Sequence, residues 1–234
     1  MPLKPQEVVI IIPSYNEGAR ILQVVTAILD KGYRNIVVID DGSSDNSMEL
    51  ISGLDVVILR HLVNRGAGAA TETGLKYCRD ILRAETVVMI DADTQHDVED
   101  IGKLIEAHFE QQADITIGNR FLENTENIPV KNWIYNQIAN VVTGVFAGKW
   151  ISDSQSGFKV FNNRALNRIV IEHDTYEHCS EIFIKAHEYG LKIIDVPIRV
   201  HYTEEIKDKG QHFLNGVRTF INLLYSAMFK NKQR

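Results

Sequence analysis

Cysteine is scarce: the 234-residue chain has two, Cys78 and Cys179, with no Cys-x-x-Cys pair and no His/Cys cluster at zinc spacing. A disulfide framework and a structural zinc site are therefore not encoded, and both residues are expected as buried thiols in a reducing compartment. No apolar run approaches the roughly 18 residues of a membrane span. Residues 1–7 show no basic stretch followed by an apolar one, so a secretory leader is not expected and the location is expected to be cytoplasmic. Basic residues are also in deficit. The 25 Lys+Arg against 31 Asp+Glu give a net charge of -6, the wrong sign for a surface that tracks a phosphate backbone, so no nucleic-acid partner is expected. Repeats and linkers rich in Gly, Ser or Pro are missing as well. The remaining composition, 44% hydrophobic and 24% charged, is that of an ordinary globular domain. At this length about 70% of the extended surface can be removed from water, enough for one core without staples.

The apolar positions alternate between two periods. Val8–Ile12 is a short β-branched run stopped by Pro13, as in a strand buried on both faces. Residues 19–31 carry Ile21, Leu22, Val25, Ile28 and Leu29 on one helical stripe closed by Gly32. Strands at 36–39, 56–59, 87–90 and 115–117 then alternate with helices at 45–52, 67–83 and 98–111, the last with Asp97 as its N-cap. This order predicts an α/β fold with a mostly parallel sheet and helices on both faces. After residue 120 the rhythm changes to a long helix over 132–150, a strand over 157–161 and helices over 163–171 and 179–189. A final strand over 191–200, interrupted by Pro197, belongs at an edge or bulge.

Open α/β sheets bind ligands beyond the carboxyl ends of their strands, and four polar clusters fall there. They are Pro13-Ser14-Tyr15-Asn16-Glu17, Asp40-Asp41-Gly42-Ser43, Asn64-Arg65-Gly66-Ala67-Gly68 and Asp91-Ala92-Asp93-Thr94-Gln95-His96. Asp91 and Asp93, two residues apart, repel each other unless a cation lies between them. Mg²⁺ or Mn²⁺ suits such oxygens and joins carboxylates to substrate phosphates, with Gln95 as a third donor. Asp40 and Asp41 can accept from ribose hydroxyls or a pyrimidine N–H, or can simply form an Asp-Gly turn. Arg65 and Gly66, opening a helix among small residues, suit a diphosphate. The dinucleotide fingerprint is missing after the first strand, which disfavours a nicotinamide or flavin enzyme.

With Gly118-Asn119-Arg120, Asp153-Ser154-Gln155-Ser156-Gly157-Phe158 and Val196-Pro197-Ile198, these residues occur in an order that resembles the family 2 glycosyltransferases of the GT-A fold. The resemblance runs from about residue 7 to residue 200 and is nearest to the polyprenyl-phosphate (dolichyl-phosphate) sugar synthases. It implies a single Rossmann-like GT-A domain over 1–210, nucleotide-binding to about 120 and acceptor-binding beyond. Pro13, Tyr15, Glu17, Asp40, Asp41, Arg65, Gly66, Asp91 and Ala92 would hold the nucleotide; Asp91, Asp93 and Gln95 would hold the metal. The Gln-x-x-Arg-Trp signature of processive synthases is absent, which favours transfer of a single sugar.

The implied reaction is inverting transfer from UDP-GlcNAc, UDP-glucose or GDP-mannose to a polyprenyl phosphate. A phosphate monoester is largely dianionic at pH 7 and attacks without a base, so cations matter instead, and Arg120, Lys159 and Arg199 are the candidates. If the acceptor is a glycan or glycolipid hydroxyl, a general base is needed, and Asp153 or Glu181 would supply it beside the catalytic Asp93. A nucleotide-sugar sensor without turnover and a sugar nucleotidyltransferase are the other classes weighed. Where the family carries a basic loop, residues 201–210 are acidic. Beyond them Phe213, Leu214, Val217, Phe220, Ile221, Leu224 and Met228 form one stripe of a basic amphipathic helix over 211–234. That helix is expected to lie on an anionic membrane surface, on the sheet or in a homodimer contact.

Overall fold

The computed structural model describes residues 7–122, 130–148, 150–175 and 177–201. The expected acceptor loop beyond His201 and the amphipathic helix over 211–234 lie outside these. One seven-stranded sheet organises the chain: β1 (Val9–Ser14), β2 (Asn35–Asp40), β3 (Val57–Arg60), β4 (Thr86–Met89), β5 (Ile115–Asn119), β6 (Lys159–Asn162) and β7 (Ile193–Pro197), in the order β3-β2-β1-β4-β6-β5-β7. β6 runs antiparallel to both its neighbours, and every other pairing is parallel. Six carboxyl ends and the entry to β6 therefore share one rim. β7 is the edge strand that Pro197 requires, since a missing N–H costs nothing where no strand follows.

Helices cover both faces. α1 (Ala19–Asp30), α2 (Ser47–Ile51) and α4 (Asp100–Glu110) pack on the side of Ile10, Ile12, Val38, Val88 and Val160. α3 (Ala67–Lys76), α5 (Val130–Ala147), α6 (Asn163–Arg168) and α7 (Glu177–Glu188) lie on the opposite side, that of Ile11, Ile39, Met89 and Phe161. The alternation of β1 thus feeds two cores, which is why its sequence is apolar throughout.

Several boundaries move from their expected places. β1 continues through Pro13, which pairs with Ile39 of β2, because the side on which its N–H is missing faces β4 beyond the last β1–β4 pair, Ile11 with Met89. The helix expected over 67–83 is α-helical only to Lys76 and widens into a π-helical turn over Tyr77–Leu82. α4 begins at Asp100 with Glu99 as its N-cap; Asp97 instead closes the preceding turn, its carboxylate accepting from the Glu99 N–H at 2.9 Å.

Candidate active site

The rim places the clusters from β1, β2, β4 and β5 with the turn that enters β6. The Asp91 carboxylate is gripped from two sides. His96 Nε2 lies 3.1 Å from its Oδ2, and the turn at Gly157 passes so close that a β-carbon there would sit 2.0 Å from Oδ2 and 2.1 Å from Oδ1. A larger residue at 157 would have to push the carboxylate aside. His96 is buried, packs on Phe158 at 5.3 Å between ring centroids, and leaves Nδ1 without a partner. Asp93 Oδ1 accepts from the Gln95 N–H at 3.0 Å and its Oδ2 from the Gln95 side-chain amide at 2.6 Å, which leaves the Gln95 side-chain oxygen Oε1 as the atom a cation would take.

The two carboxyl groups are driven apart in acidity. Burial acts to raise Asp91, but the His96 hydrogen bond and the attraction of His96, Lys159 and Arg120 outweigh it and hold Asp91 below its ordinary value. Asp93 is raised, by burial first and then by the negative charge of Asp91. A hard divalent cation would relieve that repulsion, so the donor set fits one. Among the described residues no three His, Cys, Asp or Glu side chains converge as a metal cage.

The nucleotide-side residues divide into exposed and structural ones. Tyr15 is 45% exposed at the end of β1, and Glu17 pairs with Arg20 at 2.6 Å. Asn16, named in its motif but assigned no role there, holds the β2 loop by accepting from the Ser44 N–H at 2.9 Å. Asp40 is wholly buried, accepting from the Ser43 N–H at 2.8 Å and pairing with Arg60. Asp41 is buried too and accepts from the Arg65 and Gly66 N–H groups at 3.0 and 2.7 Å, with His61 Nδ1 at 2.7 Å. These aspartates shape the rim; Ala92, also buried, spaces the acidic pair.

The expectation of a phosphate cradle at Arg65–Gly68 needs correction. A β-carbon at Gly66 would lie 2.4 Å from the Asp174 carbonyl oxygen, and one at Gly68 would lie 2.0 Å from that of His173. The Ala69 N–H already donates to Asp174 O at 3.1 Å. The small residues admit a crossing chain rather than a diphosphate. Arg65 alone stays half-exposed, paired with the Asp174 carboxylate at 3.2 Å.

Glu181 braces that crossing segment. Its carboxylate accepts from the N–H groups of Glu172 and His173 at 2.9 and 3.1 Å, from His173 Nδ1 at 2.9 Å, and pairs with Lys185 at 2.7 Å. Burial opposes its charge, but these donors bring the carboxyl down to about 2. Asp153 is equally occupied. Wholly buried, it takes Arg120 Nη2 on Oδ1 at 2.6 Å and Arg120 Nε on Oδ2 at 2.8 Å. Glu181, brought down to about 2, is a poor proton acceptor, and Asp153 is engaged by Arg120 through both oxygens.

Of the three expected acceptor cations, Lys159 is displaced. It is wholly buried in β6, a central strand covered on both faces, and its Nζ donates to the Ser156 carbonyl. It supports the Gly157 turn from beneath. Arg120 is largely covered, whereas Arg199 is half-exposed and pairs with Asp97 and Asp100 at 3.2 and 3.4 Å. The His96–Val200 bridge and the bond from the His201 N–H to Gln95 O at 2.9 Å tie the stretch that carries Arg199 to the loop that follows Asp93.

Residues 9–170 match the family model described as Glycosyl transferase family 2. The chain belongs to this family. Among its relatives is the UDP-N-acetylglucosamine–dolichyl-phosphate N-acetylglucosaminyltransferase of Methanococcus voltae, 33% identical over 94% of this chain and 96% of the relative. An uncharacterized protein of Methanocaldococcus jannaschii is 33% identical over 97% of this chain and 95% of its own length. The fold is that of glucosyl-3-phosphoglycerate synthase from Mycobacterium tuberculosis, solved with Mn²⁺, UDP-glucose and phosphoglyceric acid. The two superpose with a TM-score of 0.67 at 13% identity, covering 92% of this chain and 79% of that one. The family 2 glycosyltransferase outline expected from the motifs is therefore the observed one.

Proposed function

We propose that this family 2 glycosyltransferase moves one sugar from a nucleotide sugar to the phosphate of a polyprenyl lipid, with a divalent cation held by Asp91, Asp93 and Gln95. When bound, the cation would neutralise the departing diphosphate. Tyr15 and Arg65 are the exposed groups of the nucleotide side, Glu17 lies largely covered beside Arg20, and Asp40 and Asp41 hold the loops that carry them. Arg199 and Arg120 flank the place where a second phosphate would approach.

The observation that carries this reading is the occupation of both candidate bases. Asp153 is bound to Arg120 through both oxygens, and Glu181 is saturated by donors with its carboxyl brought down to about 2. A hydroxyl acceptor needs a proton acceptor that neither residue offers, whereas a phosphate arrives ionised. The name of the Methanococcus voltae relative supports a dolichyl-phosphate acceptor and makes UDP-GlcNAc the first donor to try. The acceptor would bring the protein to a membrane surface; no helix among the described residues is long and apolar enough to cross one.

The test is a panel of UDP-GlcNAc, UDP-glucose and GDP-mannose, each with Mn²⁺ and a short polyprenyl phosphate or a glycan acceptor. Sugar appearing on the lipid phosphate supports the proposal; transfer to the glycan alone overturns it.

A further inference from the structure

The reaction above leaves one nucleophile unused. We propose that Cys179, paired with His178 in the first turn of α7 and backed by the buried Lys159, is an activated thiol and a modification site for small hydroperoxides and electrophiles.

The tautomer of His178 follows from its partners. Nδ1 lies 2.7 Å from the Thr175 carbonyl oxygen, which can only accept, so Nδ1 carries the proton. Nε2 then turns a lone pair toward Cys179 Sγ at 3.4 Å. Cys179 is the third residue of a 12-residue helix, where unpaired N–H groups favour an anion. Lys159 of β6 is wholly buried on the same side of the sheet, and among the described residues no carboxylate pairs with it. Its positive charge and that of a protonated His178 both favour a thiolate at Cys179, and the negative charge of Asp91 opposes it. Burial acts to raise the thiol, yet His178 and Lys159 leave Cys179 below its ordinary value; burial and Lys159 act to lower His178, yet Cys179 and the Thr175 carbonyl leave it above its own. Cys78 provides the contrast: it is wholly buried, and burial pushes its thiol up to about 12.

The chemistry balances with a hydroperoxide as the oxidant. The Cys179 thiolate attacks one peroxide oxygen, an S–O bond forms as the O–O bond breaks, and the departing hydroxide takes the His178 proton and leaves as water. Sulfur is oxidised by two electrons to the sulfenic acid, which a thiol reductant reverses. Cys179 is 6% exposed, so small reagents, hydrogen peroxide and methyl methanethiosulfonate, are the probes. Loss of the thiolate charge and a new oxygen beside Lys159 would disturb the Ser156–Gly157 turn that packs on Asp91. Oxidation therefore slows sugar transfer, a consequence that rests on the proposed function.

The experiment treats the native full-length protein with limiting methyl methanethiosulfonate or hydrogen peroxide and reads each cysteine by peptide mass spectrometry between pH 6 and pH 9. Cys179 should react at least about tenfold faster than Cys78 at pH 7, with a rate that levels off below the range of an ordinary thiol near 8.5. His178→Gln should slow Cys179 and move its profile upward. Labelling confined to unfolded protein, or a wild-type profile that rises only near 8.5, overturns the proposal. Labelling is scored without a sugar assay. A chain that labels as described yet transfers no sugar contradicts the function instead, and an active chain whose Cys179→Ser variant stays equally peroxide-sensitive contradicts the role of this thiol.

Discussion

Asp153 and Arg120, 33 residues apart, meet through a two-pronged ion pair of 2.6 and 2.8 Å, and the Arg120 N–H adds a third bond at 2.9 Å. The pair ties the end of β5 to the turn that leads into β6, and so fixes the floor of the crevice. Replacing one partner strands the other in a buried place. Asp153→Asn should lower stability by about 3 kcal/mol, the scale for breaking a buried pair. Urea unfolding of the variant checks this, and an unchanged midpoint would contradict the floor role.

Glu181 should behave as a brace. With its carboxyl brought from 4.5 to about 2 in the folded chain, it adds stability that is complete above about pH 4.5 and is lost as pH falls toward 2. Glu181→Gln should weaken donor binding, through the 172–175 segment beside Arg65, while leaving the shape of the kcat–pH profile intact. If the variant instead loses a limb of that profile near neutral pH, Glu181 is a base and the acceptor a hydroxyl.

Gly157→Ala should cost donor affinity rather than the fold. Its β-carbon would collide with the Asp91 carboxylate at 2.0 Å, and that end of the carboxylate can turn away. We expect at least about a tenfold rise in the Mn²⁺ concentration needed for half-maximal rate, the scale of a disturbed ligand support. Circular dichroism should stay native; a normal Mn²⁺ requirement would rule out the contact.

His108 gives the fold an acid weakness. It is buried, its Nδ1 pairs with Thr116 Oγ1 at 2.8 Å, and Nε2 has no partner among the described residues. Burial lowers it from 6.5 to about 4. The unfolded chain therefore binds a proton first as pH falls, and stability drops by about 3 kcal/mol between pH 6.5 and 4, with no contribution above that window. His108→Gln should flatten this slope in denaturant titrations; an unaltered slope would assign it elsewhere.

Much of this was legible because strands buried on both faces must be apolar throughout, as Val9–Ile12 and Val87–Ile90 are. The acidic pair alone would read as a polar turn capping the next helix, and it stood out because three other polar clusters fall at neighbouring strand ends. Direction was not: Lys159–Asn162 would read the same as a parallel strand, and its reversal is set by what it pairs with. Arg65–Gly68 misled for a similar reason, since the chain that fills those glycines arrives from residues 173–175. Lys159 looked accessible because charge predicts exposure, yet its strand is central. His96 stood within its motif, but nothing local showed that its ring would face Asp91.

The most direct test is calorimetric titration of UDP-GlcNAc and the other nucleotide sugars into the wild-type protein and Asp93→Asn, with and without Mn²⁺. We expect donor binding that Mn²⁺ strengthens in the wild type, and loss of that gain in the variant together with a fall in turnover of about a hundredfold or more. Equal Mn²⁺-dependent binding and turnover in both proteins would contradict the assignment of the acidic pair.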